Sequence, residues 1–248
     1  MKPIDGERAS SGLRNSRERE RGDDNFFPST SKLTLVSSVF DLKFKPVQNT
    51  NCPDFKEAMK IYIQSFPANE RQPASVIIQR MRDSFYRMYV GSLGTKVVFF
   101  ALLHPLNKSK FILLDYMATE KDYRNQRIGT NFIGNFVRSN INKSYILMEV
   151  ENPDGGAKRR LKKRRVSFYK RRGARILKNV RFLMPPLAGG KPNEMILMIM
   201  PTYNRGKISG RLVKKIIYQI YHESYGRGRN DPLLNSFIHH IDDIIQLD

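Results

Sequence analysis

The segment Leu113 to Phe132, LLDYMATEKDYRNQRIGTNF, holds the residues best suited to gripping an anion. An apolar run leads into a polar turn, then into a helical pattern that starts near Gly129. A helix head leaves backbone N–H groups unpaired and carries about half a positive charge, so it takes a pyrophosphate readily. Gly129 would let the backbone approach that anion with no Cβ in the way. Arg124 and Arg127 add guanidinium donors suited to phosphate oxygens. A second stretch, Tyr145 to Glu151 (YILMEVE), puts Glu149 and Glu151 on one face of a strand, because side chains alternate. A carboxylate in an otherwise apolar strand is costly to bury without a partner or a task, and taking a proton is such a task. Asp115, in the run before the turn, is a third candidate. The structural alternative is an ion pair with the basic stretch downstream.

These residues need elements to hold them. Residues 43–47 read as a short strand. Residues 53–66 carry Phe55, Met59, Tyr62, Ile63 and Phe66 at helical spacing, and 74–85 repeat the pattern with Ile77, Ile78, Met81 and Phe85. Apolar runs of strand length follow at 87–92, 96–103 and 111–118. Residues 128–137 are helical, and 145–151 form a strand. A basic helix over 158–172 stops at Gly173. Residues 175–183 and 194–200 are two more strands. The order over 50–200 is β-α-α-β-β-β-α-β-α-β-β. Two further helices are expected, over 208–225 and 231–245.

Composition narrows the setting. The chain has 248 residues, 40% of them hydrophobic, and a formal net charge of +21. Such an excess of cations implies anionic partners, without choosing among nucleic acid, acidic protein, a membrane surface and a polyphosphate cofactor. The single cysteine, Cys52, excludes an internal disulfide and fits a reducing compartment. His104, His222, His239 and His240 do not make a metal set, so no metal is expected. Residues 1–35 read as a disordered basic tail. Neither a secretory signal nor a run of roughly 20 apolar residues is present, so a soluble, cytoplasmic protein without membrane contact is expected.

The stretch Tyr123-Arg124-Asn125-Gln126-Arg127-Ile128-Gly129 resembles the acyl-CoA pyrophosphate loop of the GNAT (GCN5-related N-acetyltransferase) superfamily, Gln/Arg-x-x-Gly-x-Gly/Ala. Arg124 matches its first position and Gly129 its last. Arg127 replaces the middle glycine, which implies a backbone there that need not be glycine-like, or a shifted pyrophosphate. Some 40 residues on, Phe168-Tyr169 followed by Gly173-Ala174 resembles the second family signature, with Ala174 in place of Phe. Met148-Glu149-Val150 is similar to a Leu-Glu-Val strand of bacterial enzymes that acetylate ribosomal-protein N-termini.

The resemblance spans residues 40–202, with 203–248 as a C-terminal helical extension. It implies an α+β (α/β/α) fold with a mixed, mostly antiparallel sheet splayed between its fourth and fifth strands. It implies acetyl-CoA as acyl donor, with main-chain contacts from Met117, Ala118 and Thr119 and a loop of Arg124, Asn125, Gln126, Arg127, Ile128, Gly129 and Thr130. It implies Tyr169 as the acid that protonates the leaving thiolate, and Glu149 as the base. From the residues alone, Glu151 and Asp115 stay open as the base. Phe168 is expected in the core.

The acceptor amine is not legible. From Lys158 to Arg175 there are many Lys and Arg and no acid (KRRLKKRRVSFYKRRGAR). That density supports a rival reading: a nucleic-acid- or ribosome-binding protein built on a GNAT-like fold with little or no catalysis.

Overall fold

The computed structural model describes residues 41–248 apart from 141, 142, 155–157, 188, 202, 204 and 205. The tail expected over residues 1–35 lies outside the described residues. The elements are β1 (Leu42–Pro46), α1 (Pro53–Ser65), α2 (Ala74–Arg82), β2 (Arg87–Leu93), β3 (Lys96–Pro105), β4 (Phe111–Thr119), α3 (Ile128–Ser139), β5 (Tyr145–Glu151) and α4 (Arg159–Lys170). They continue with β6 (Arg175–Ile176), β7 (Phe182–Met184), β8 (Asn193–Met200), β9 (Lys207–Ser209), α5 (Gly210–Glu223), α6 (Pro232–Ile238) and β10 (Ile244–Gln246).

The main sheet runs β1-β2-β3-β4-β5-β8-β6, with β7 also on β8. Neighbours are antiparallel except β4 and β5, which are parallel. That pair stays together for one short stretch, Phe111 to Leu113 against Tyr145 to Leu147. Beyond it the strands part, which is the splay expected between the fourth and fifth strands. Helices cover both faces, as strand alternation requires. Phe99, Ala101 and Leu103 join the cluster that holds Ile128, Phe132 and Ile133 of α3, with Phe168 and Tyr169 of α4 packed against it. Phe100 and Leu102 join Phe55, Met59 and Tyr62 of α1. The α+β architecture with a mixed, mostly antiparallel sheet is therefore present.

The C-terminal residues are sewn into this core. Val213, Ile216, Ile217 and Ile220 of α5, and Leu234, Phe237 and Ile238 of α6, pack with Leu113, Leu147, Leu197 and Ile199 of the sheet. Burying one such side chain contributes about 1.5–3 kcal/mol before entropy is counted. At the start of α5, a Cβ on Gly210 would lie 1.7 Å from the Asp242 carbonyl oxygen, so only glycine fits.

Two expected elements differ. The strand over 175–183 breaks into β6 and β7, with Asn179 in the left-handed region (φ 58°) between them. The last helix stops at Ile238, and the chain returns as β10, where Ile245 opposes Ile208 of β9. The four-residue spacing of Ile241 and Ile245 suits a helix, but both are buried by a loop and a strand instead.

Candidate active site

The head of α3 opens into a cleft of about 1460 Å³. No side chain caps α3, so its first N–H groups lack the partner that a capping residue would give. Arg124, Asn125, Arg127, Ile128, Gly129 and Thr130 line the cleft there. Gln126 does not: its amide donates to the Asp122 carbonyl at 3.4 Å within the loop.

The loop's backbone also corrects the reading of its glycines. Arg127 sits at φ 60° and Asn125 at φ 66°. The loop does adopt the glycine-like conformation at 127, and an arginine bears it, at a strain of roughly 1–2 kcal/mol. Strain of that kind gathers at ligand sites. Gly129 does not need its freedom. An added Cβ would touch Phe168, Met117 and Phe99 side chains at 3.6–3.9 Å, an ordinary contact. Arg124 spends part of its guanidinium on the Thr119 carbonyl, at 3.1 Å, which ties the loop to the end of β4.

Met117, Ala118 and Thr119 pair with Ala101, Phe100 and Phe99 of β3 on one side. On the other side the pairing with β5 has already ended at Leu113. Their outer backbone groups thus border the splay, and all three residues line the cleft. The β3–β4 register skips Asp115: Leu102 faces Tyr116 and Leu103 faces Leu114. Such a bulge re-aims side chains beside sites of function.

The three carboxylates have different surroundings. Asp115 accepts from the Tyr86 hydroxyl at 2.6 Å, and Tyr86 in turn accepts from Arg80 at 2.7 Å. Burial raises the Asp115 carboxyl to about 6, against the opposing pull of Tyr86 and Arg80. Glu151 faces two cations of α4, Arg165 at Oε2 and Lys162 at Oε1, the latter at 4.0 Å. Its oxygens anchor the basic helix, which is the structural alternative. Glu149 accepts from the Tyr225 hydroxyl at one oxygen, while its other, Oε1, is buried without a hydrogen-bond partner. Burial raises this carboxyl to about 8; the Tyr225 bond opposes the rise and the Asp115 charge adds to it.

Tyr169 projects from α4 into the same cleft. Among the described residues no hydrogen-bond partner of its hydroxyl is present. Burial pushes it up to about 12, partly offset by Arg165 and Arg172. Arg172 lies over the Phe168 ring at 3.7 Å and donates to Thr130 Oγ1, so it clamps α4 onto the first turn of α3. Phe168 packs in the core as expected.

Sequence reasoning missed Tyr225, Tyr86 and Arg80. Tyr225 ends the α5 segment, whose turn is held by Arg80 and Gln72 donating to the Ser224 carbonyl at 2.8 and 3.3 Å. No local pattern links Tyr225 to a strand 76 residues earlier. Among the described residues no group of His, Cys, Asp and Glu could hold a metal ion, and no helix is long and apolar enough to cross a membrane.

This sheet, split at the parallel pair with an open helix head beside the gap, is the GNAT acetyltransferase fold. The chain is similar to a protein from Bacteroides thetaiotaomicron assigned as a GNAT-family acetyltransferase, at 20% identity and a TM-score of 0.63, over 75% of this chain and 99% of that one. It also aligns with a GNAT acetyltransferase from Elizabethkingia anophelis with acetyl-CoA bound, at 16% identity and a TM-score of 0.45, over 64% and 97% of the two chains. The fold assignment rests on the first of these. No protein-family model matches the sequence, and no curated protein matches it.

Proposed function

We propose that the chain is an acetyl-CoA-dependent N-acetyltransferase, transferring the acetyl group to a primary amine by direct attack in a ternary complex. One observation carries this: the uncapped head of α3 and the buried, half-free Glu149 carboxylate open onto one cleft along the β4–β5 gap. The first suits a diphosphate, and the second suits a proton from an amine. Residues 40–202 form the transferase domain, and 203–248 form an extension that supplies Tyr225. One free thiol, Cys52, and no disulfide fit the reducing cytoplasm.

The pyrophosphate lies on the N–H groups at Ile128 to Thr130, with Arg124 and Arg127 beside it. The pantetheine arm runs along Met117, Ala118 and Thr119. Glu149 takes a proton from the acceptor ammonium, and the freed amine attacks the thioester carbonyl. A β4 backbone N–H bonds the resulting oxyanion. As the C–S bond breaks, Tyr169 gives its proton to sulfur and regains one from solvent. The nitrogen loses its second proton to water, leaving an amide and the free thiol.

Calorimetric titration with acetyl-CoA tests the reading. Saturating ligand at a hundred times Kd stabilises by about 2.7 kcal/mol, so Tm should rise by about 5–10 °C. No heat of binding and no shift would end it. A release assay for coenzyme A thiol, run over a panel of amines, then finds the acceptor.

Tyr225 gives a sharper prediction. Its hydroxyl holds Glu149 below where burial alone would put it. A base works deprotonated, so kcat/KM should rise with pH through about 8. In Tyr225→Phe that limb should move about one unit further alkaline, the usual worth of a bond to a charged acceptor. An unmoved limb would separate Tyr225 from the base.

A further inference from the structure

Asp115 and Glu149 stand opposite each other across the β4–β5 gap. The two strands are parallel, and their last paired residues are Leu113 and Leu147. Two residues further along each strand come Asp115 and Glu149. Their tyrosine partners place both on the face turned away from α3 and α4. Tyr86, buried in the α1 cluster, donates to Asp115 at 2.6 Å, and Tyr225, packed with α5, donates to Glu149. The two arrangements match. Each carboxylate has one oxygen bonded by a tyrosine, Oδ2 of Asp115 and Oε2 of Glu149. Among the described residues neither Asp115 Oδ1 nor Glu149 Oε1 has a hydrogen-bond partner, and Glu149 Oε1 is buried. Both residues line the cleft.

The chain holds 44 Lys and Arg, yet among the described residues none forms an ion pair with either carboxylate. Arg80 reaches Asp115 only through Tyr86, to which it donates at 2.7 Å, and its other arm donates to the Ser224 carbonyl at 2.8 Å. Tyr116, the next residue of β4, donates to the Glu70 carbonyl at 2.9 Å. Buried carboxylates that face each other repel, and buried charges are ordinarily paired. Burial raises both carboxyls, and the Asp115 charge raises Glu149 further. An ammonium between the two open oxygens would remove the repulsion and give each a charge-assisted hydrogen bond. A quaternary ammonium has no N–H to donate, and an aryl amine is uncharged at neutral pH.

We propose that Asp115 and Glu149 together seat the acceptor as an alkylammonium, Asp115 holding its charge while Glu149 takes its proton. The inference rests on the transferase reading and names the acceptor class: a basic aliphatic amine, with aryl amines rejected. The bound cation favours the ionised form of Glu149, so the acceptor readies its own base. One proton passes from nitrogen to Glu149. Asp115 stays ionised and keeps its hydrogen bond to the nitrogen as the amine attacks.

NMR of isotope-labelled carboxyl carbons, followed against pH in the full chain, tests the pair with methylammonium as the probe. Asp115→Asn should move the Glu149 midpoint below its native value of about 8, because a like charge is gone. Methylammonium should lower both native midpoints. Tetramethylammonium at equal concentration, with the same charge and no N–H, should lower them far less. Asp115→Asn should bind methylammonium about ten- to a hundredfold more weakly, the worth of a hydrogen bond to a charged group. In the thiol-release assay it should raise the KM of an active amine by a similar factor, with acetyl-CoA affinity unchanged.

A Glu149 midpoint that ignores Asp115→Asn would overturn the proposal, and so would native midpoints that ignore methylammonium. An equal response to the two cations would overturn it as well, because screening would then suffice. Any of these results, with acetyl-CoA still bound, would leave the transferase reading standing on Glu149 alone. Midpoints that behave as expected in a chain without acetyl-CoA affinity would instead end that reading and keep the amine site. The comparison of the two cations uses native protein, so it decides the matter even if Asp115→Asn fails to fold.

Discussion

Replacing Glu149 by Gln should lower kcat by about 100- to 10 000-fold, the usual contribution of a positioned general base. Acetyl-CoA affinity should stay within about twofold, because the pyrophosphate site proposed at the head of α3 does not include Glu149. Gln keeps the shape and can still accept from Tyr225, so the fold survives. The same substitution also has a stability signature. The Glu149 carboxyl stands at about 8 in the folded chain, above its ordinary value of 4.5. A raised value means that the folded state favours the neutral form. That stabilisation is complete below 4.5 and is lost as pH climbs through about 8. Gln is neutral throughout, so the variant keeps what the native chain loses. Its Tm relative to native should rise between pH 5 and pH 8 and then level off. Melting curves across that range, beside single-turnover rates, separate base from bystander. Unchanged kcat with a rising Tm gap would leave Glu149 buried but idle.

Tyr169→Phe should lower kcat by about ten- to a thousandfold with little change in acetyl-CoA binding. The removed hydroxyl has no protein partner among the described residues, so no buried group is orphaned and Tm should hold. With its proton held up to about 12 by burial, Tyr169 stays protonated across the working range. The fall in rate from loss of the Tyr169 proton should therefore come only near pH 12, beyond the rise that Glu149 sets. Both effects follow from one geometry, because α4 presents Tyr169 to the cleft while Phe168 fixes the helix against α3. A kcat equal to native, with any active amine, would reduce Tyr169 to a wall of the cleft.

Wherever one residue's type and its near neighbours settle the geometry, the sequence was sufficient. Strand alternation put Glu149 in an apolar strand. The run from Leu113 to Phe132 announced a strand, a turn and a helix head, and Gly173 stopped α4 with φ 86°. The order of elements over 50–200 followed from periods of two and of 3.6, which local sterics impose. The single strand expected over 175–183 was the exception there.

Tertiary structure decided what depends on partners far along the chain. Which carboxylate keeps a free oxygen could not be read locally: Glu151 is claimed by Arg165, 14 residues on, and Glu149 meets Tyr225, 76 residues on. The bulge at Asp115, the left-handed turn at Arg127 and the return of the chain as β10 are likewise set by register and packing across the sheet. A side chain's period records which face it takes. It does not record what stands opposite, because that is chosen by the closure of the core and by hydrogen bonds that form only once the core has closed.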